Sequence, residues 1–318
     1  MRLKKLLGYI LIFNIYGLLT INLHADAIGL SNASLNGIYW SMGTETRLAK
    51  QQFASYDDTA SPTESLWSGT FTFDGQGGCS YSDTINKSAY LSSGGIVVID
   101  DSHDSDQCTY TLTSDGTLTI GGSTGTEVAK VSPDTNIISI INIELEAGVA
   151  YVDSIMLVKQ SSGLSNASLN GTYWSMATET RLAKQELDSD NNTTSNTESL
   201  WSGTFTFDGQ GGCSYSDTID KNAYLSAVGI VVTDDSHDSG QCTYTLTSDG
   251  TLTIGGNTGT EVAKVSPDTN TISIVGIESE IDSLEGNVAY VYSANLVKQS
   301  PSFNVNAILT IIVNYILF

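Results

Sequence analysis

CTYTLTSDGTLTI, residues 108–120, decides the fold class. Cys108, Tyr110 and Leu112 alternate with Thr109, Thr111 and Thr113, the chain turns through Ser114, Asp115 and Gly116, and alternation resumes at Leu118 and Ile120. A period of two in aromatic and β-branched residues, broken at Asp-Gly, predicts a β-hairpin. One of its faces is apolar and the other is covered by threonines, so one side meets a core and the other meets water.

The same grammar continues on both sides. FTF at 71–73 runs through DGQGG into CSYSDT, and further strands are predicted over 37–42, 47–52, 64–73, 95–100, 127–131, 137–143 and 149–159. Nothing in this region has the 3.6-residue period of an amphipathic helix. Short consecutive strands joined by tight turns predict an all-β fold, an up-and-down antiparallel β-barrel of about 8–10 strands, with a β-sandwich as the alternative.

The chain contains this unit twice. SNASLNGIYWSM at Ser31 returns as SNASLNGTYWSM at Ser165, and LVKQS at Leu157 returns at Leu296. Between 63–140 and 197–274 there are eight differences in 78 positions. Each copy is long enough to be a domain, giving tandem repeats over 28–162 and 163–300. The segments that differ most, 52–62 and 186–196, are polar and rich in turn-forming residues, as exposed loops are.

Residues 1–25 read as an export signal: Arg2, Lys4 and Lys5, an apolar run over 6–21, and small residues around Ala25. The apolar tail at 301–318 is too short for a spanning helix, which needs about twenty residues. Removing the signal takes away three positive charges and leaves a formal charge of −25. With no basic patch to neutralise phosphates, nucleic acid and anionic membrane surfaces are poor partners. The chain is expected to be secreted or periplasmic and of bacterial type.

Four cysteines in an exported chain predict disulfides, and duplication favours Cys79 with Cys108 and Cys213 with Cys242. If Cys79 begins one strand and Cys108 begins the next but one, two strand spacings of about 9.5 Å separate them. The bridge is then expected past the end of the middle strand, tying down the acidic stretch DDSHDSDQC at 100–108.

LNGTYW at 169–174, opening the first strand of a β-meander, resembles the Gly-x-Trp signature of lipocalins and related calycin barrels. That resemblance implies an eight-stranded barrel holding a small apolar ligand. Here Tyr173 stands at the signature tryptophan's place and Trp174 follows it, so alternation sends them to opposite faces. The late-strand arginine of that family corresponds to Lys159 and Lys298. The repeated GTFTFDGQGG, CTYTLTSDGTLTI and KVSPDTN are similar to tandem-repeat secreted bacterial proteins of unknown function.

The acidic stretch and its copy offer Asp100, Asp101, Asp104, Asp106, Asp234, Asp235 and Asp238 as candidate ligands for calcium, the one cofactor considered. The spacing is not that of an EF-hand, since Ser105 stands where glycine is needed. Zinc is disfavoured, because His103 and His237 are alone in their copies and the cysteines are committed to bridges. No catalytic residues are assigned: Ser102, His103 and Asp104 adjoin in sequence without a triad's spacing. Candidate ligand-binding aromatics are Tyr39, Trp40, Trp67, Phe71, Phe73 and Tyr110, with Tyr173, Trp174, Trp201, Phe205, Phe207 and Tyr244 in the second copy; their competing role is core filling.

The reading that follows is a non-enzymatic exported binding or surface-interaction protein with a cell-surface partner. Its alternatives are a lipocalin-like carrier of a small apolar ligand and, third, a secreted hydrolase.

Overall fold

The computed structural model describes residues 29–47, 63–92, 95–122, 125–146, 149–182, 186–187, 191–192, 197–226, 229–234, 237–256, 259–282 and 286–299. The signal segment 1–25, the tail 301–318, Asp235, most of the divergent loop segments and the expected strand over 48–52 lie outside these residues.

Each copy is a closed antiparallel barrel. In the first, β1 (Asn36–Arg47), β2 (Thr63–Asp74), β3 (Gly78–Ser92), β5 (Ser105–Leu112), β6 (Thr117–Gly122), β7 (Gly125–Val131), β8 (Ile137–Glu146) and β9 (Val149–Lys159) form an eight-stranded circuit in which β9 pairs with β1. The hairpin at 108–120 supplies β5 and β6, with Tyr110 opposite Ile120. Its apolar positions Cys108, Tyr110, Leu112, Leu118 and Ile120 are all buried. The barrel arises because every strand has one wet face and one apolar face, and closure leaves no long unpaired edge.

The remaining strand, β4 (Gly95–Asp100), changes the expected topology. The start of β3 pairs with β5, whereas its later part pairs with β4 as a hairpin. Cys79 and Cys108 are therefore direct cross-strand neighbours, bonded with a Cα separation of 4.8 Å. Cys213 and Cys242 repeat this. The bridge lies within the sheet, not past its end, because the middle strand forms beyond the bonded pair instead of between its members.

In the second copy β10 (Asn170–Leu182), β13 (Thr197–Asp208), β14 (Gly212–Ser226), β16 (Ser239–Leu246), β17 (Thr251–Gly256), β18 (Gly259–Val265), β19 (Thr271–Asp282) and β20 (Gly286–Lys298) close the circuit, with β15 (Gly229–Asp234) as the side hairpin. Two short strands, β11 (Glu186–Leu187) and β12 (Asn191–Asn192), pair in the loop after β10.

One end of each barrel is plugged. The Tyr39 and Phe73 rings meet edge to face at 5.4 Å, and Phe73 meets Tyr110 at 5.0 Å. The single turn Asn32–Ser34 caps this end. Its Asn32 side chain accepts from the Leu112 amide at 2.7 Å, and the Tyr110 hydroxyl donates to the Leu35 carbonyl at 2.9 Å. A buried aromatic of this size contributes about 1.5–3 kcal/mol, so the plug anchors the barrel.

The barrels pack side by side through different faces. From the first barrel the outward residues Leu66, Ala89 and Ile96 join Leu182, Val275, Ile277, Ala289 and Val291 of the second in one apolar cluster. The Trp40 indole donates to the Asp249 carbonyl at 3.2 Å, and the Lys264 ammonium sits 3.6 Å over its ring. Trp40 and Asp249 belong to the plugged ends, while Leu66 and Leu182 lie toward the opposite ends. The two barrels therefore run in the same direction.

Candidate functional site

Above each plug the barrel is hollow. The cavity measures about 350 Å³ in the first barrel and about 480 Å³ in the second. Trp67, Phe71, Ile120, Ile140 and Ile155 line the deep part of the first, while Glu45, Arg47, Asp83, Asp104 and Glu127 ring its mouth. The second repeats this with Trp201, Phe205, Tyr215 and Ile254 below Glu179, Arg181, Asp217, Asp220, Asp238 and Glu261.

Strand period explains the division. On β1 the inward positions run from buried Tyr39 at the plug through Ser41 and Gly43 to Glu45 and Arg47 at the mouth. On β3 the register shifts where Ser68 and Gly69 face Ile85 and Asp83, leaving Thr84 as the extra residue. This bulge moves the inward set from Cys79, Tyr81 and Asp83 to Asn86, Ser88 and Tyr90. Gly69 is required there, since an added Cβ would lie 2.2 Å from the Ser82 carbonyl oxygen.

The mouths are electronegative. Arg47 pairs with Glu45, and its guanidinium lies 5.7 Å from the Tyr151 ring centre. In the second barrel Arg181 sits 5.4 Å from the Tyr290 ring, and its charge opposes the upward shift that burial imposes on the Glu179 carboxyl. The arginines are thus engaged at the wall, leaving the remaining carboxylates to set the field. Burial, reinforced by the Asp104 charge, pushes the Asp83 carboxyl up to about 6. Asp217 also reaches about 6, through burial and then the charges of Asp220 and Asp238. Thr197 lines the second cavity, and its buried hydroxyl has no hydrogen-bond partner.

The two cavities are not equivalent. Ala294 stands where the first barrel has Ile155, and Asp220 stands where it has Asn86. The cross-strand pair Asn142 and Asp153 becomes Gly276 and Tyr292. The ring of Tyr292 occupies the space that a Gly276 side chain would need, and its hydroxyl donates to Glu261. Asp106 becomes Gly240, against which the Tyr215 ring packs.

Comparison with family models and with curated sequences finds no match. Among solved structures, two mutants of the vaccine antigen transferrin binding protein B from Haemophilus parasuis are similar at 10% and 7% identity. These cover 84% and 82% of this chain and 77% and 76% of theirs, with TM-scores of 0.24 and 0.26. At such scores neither a shared fold nor a shared function follows.

The expected aromatics divide into three groups. Trp67, Phe71, Trp201 and Phe205 line the cavities, whereas Tyr39, Phe73, Tyr110, Tyr173, Phe207 and Tyr244 fill the plugs. Trp40 and Trp174 face outward, because the residue after an inward tyrosine must do so. Lys159 and Lys298 lie 5.8 Å and 5.7 Å from the Tyr39 and Tyr173 ring centres, so late-strand lysines cover the signature-position tyrosines.

The acidic stretch disperses. Asp100 pairs with Lys87 at 3.6 Å, Asp101 accepts from Ser88, Asp106 accepts from the Gln107 amide, and only Asp104 reaches the mouth. In the copy Asp234 pairs with Lys221, and Asp238 lines the mouth. Among the described residues no group of three or more His, Cys, Asp or Glu is placed to hold a metal ion. The sequence reading missed Glu45, Arg47, Asp83, Glu127 and their counterparts. Their inward parity on neighbouring strands was the available signal, but the bulge on β3 breaks its count.

Proposed function

We propose that each barrel is a non-enzymatic binding module that takes a small organic cation with an apolar or aromatic body through its open end. The observation that carries this is the repeated arrangement of an aromatic cavity beneath a ring of carboxylates. Volumes of about 350 and 480 Å³ fall within the roughly 300–1,000 Å³ usual for small-molecule sites. Trp201, Phe205, Tyr215 and Tyr292 offer ring faces to a cation, each worth about 0.5–2 kcal/mol, while Asp217, Asp220 and Asp238 supply charge. The carboxylates turn the expected apolar ligand into an amphipathic, positively charged one.

The in-sheet disulfides support an oxidising, extracytoplasmic compartment. No helix of the described residues is long and apolar enough to cross a membrane, which says nothing of β-barrel spans.

Isothermal titration with benzyltrimethylammonium as probe, and with neutral neopentylbenzene as its uncharged match, tests the proposal. The cation should bind at pH 7.5 and the neutral compound more weakly. Asp217→Asn together with Asp238→Asn should reduce cation affinity in the second barrel at least tenfold. Because the Asp217 carboxyl titrates near 6, cation affinity should fall as pH drops from 7 to 5. Equal affinity for both probes, or binding unaffected by the double substitution, would reject the cationic ligand.

A further inference from the structure

We infer that this chain associates head to tail with second copies of itself, through the contact that already joins its two barrels. That contact is heterologous: the first barrel offers the outer face of β1 to β4, and the second offers the turn before β17, strands β18 to β20 and the end of β10. Because the barrels are near-identical copies, each face has a twin on the other barrel. The twin of the offering face lies on the second barrel and the twin of the receiving face on the first, so each barrel carries one half of the interface that the intramolecular contact leaves unused.

The twins keep the chemistry and are more exposed at their apolar positions. Met42 and Leu66 are 3% and 4% exposed at the contact, whereas Met176 and Leu200 are half-buried. On the receiving side Val275 and Ile277 pack against the first barrel, while their twins Ile141 and Ile143 are 48% and 45% exposed. The polar lock is duplicated too. Trp40 donates to the Asp249 carbonyl beneath Lys264, and the twin Trp174 has an indole N–H that is shielded from water and without an acceptor. Its matching receptor, Asp115 with Lys130 at 3.5 Å, lies on the first barrel and carries no tryptophan.

The fitting occupant is therefore another copy of this chain, with Leu200 and Trp174 seated on Ile141, Ile143 and Lys130. A heterologous contact of this kind does not exhaust itself in a dimer, and closes into a ring or extends as a filament.

Sedimentation velocity of the full chain over a concentration series tests this. The wild type should pass from monomer to dimer and larger species, while Leu200→Asp and Ile143→Asp should each remain monomeric. Both sites lie on the barrel exterior, and unchanged circular dichroism melting confirms that each variant folds. Mixing the two variants restores one intact interface, so an equimolar mixture should form a dimer and nothing larger. A monomeric wild type, association that survives either substitution, or a mixture that stays monomeric would overturn the inference. So would association that appears only after residues 301–318 are removed, which would assign the second barrel's face to the chain's own terminal segment.

Discussion

Glu64 shows how one residue reports its surroundings. On β2 it faces outward, yet it is 3% exposed because the second barrel covers it, and its carboxylate accepts from the Thr46 hydroxyl at 2.7 Å. Burial, reinforced by the nearby Glu198 and Glu45 charges, pushes this carboxyl up to about 8. The unfolded chain releases that proton near 4.5, so between 4.5 and 8 the folded state holds more protons and stability falls as pH rises. Glu64→Gln should therefore leave stability unchanged below pH 4 and raise it at pH 8.5 by more than about 1.4 kcal/mol, the equivalent of one pKa unit. Chemical denaturation at both pH values reads the difference. An equal effect at both would mean that the carboxyl ionises normally.

The period-two reading of 108–120 placed β5 and β6 and their buried side chains correctly, because alternation on a single hairpin is a local property. The neighbours of β3 were not legible in the same way. Sequence order suggested that the strand after Cys79 would separate it from Cys108, but a fifteen-residue strand has room for two partners on one edge. The acidic mouth was hidden for a related reason. Its members come from β1, β3, β7 and the residue preceding β5, and only barrel register brings them together. The bulge that shifts this register depends on Gly69 and Gly203. Gly203→Ala would place a Cβ 2.3 Å from the Ser216 carbonyl oxygen, and strain of this kind costs about 1–3 kcal/mol. The melting temperature of the second barrel should fall accordingly, and cation binding there should weaken as Asp217 is displaced.

For the whole molecule, duplication produced two similar cavities whose mouths open in the same direction, since plugged end meets plugged end across the contact. The contact should couple their unfolding. Trp40→Ala removes the indole that bonds Asp249 and lies beneath Lys264, and it touches neither cavity. Scanning calorimetry of this variant should resolve two transitions where the wild type shows one, while the affinity for benzyltrimethylammonium stays within about twofold of wild type. A single unchanged transition would show that the apolar cluster around Leu66 and Val291 couples the barrels without the tryptophan.

The pairing of Tyr39 with Lys159 puts the start of β1 beside the end of β9, so the polypeptide enters and leaves each barrel at its plugged end. Tension along the backbone would then peel β9 from β1 rung by rung from that end, the geometry of a zipper and not of a lap joint. Such a domain yields at low force. Its release is incomplete, however, because the Cys79–Cys108 bond holds 29 residues out of the pulled contour. At roughly 3.4 Å per residue, each barrel keeps about 100 Å of slack that only a reductant can pay out.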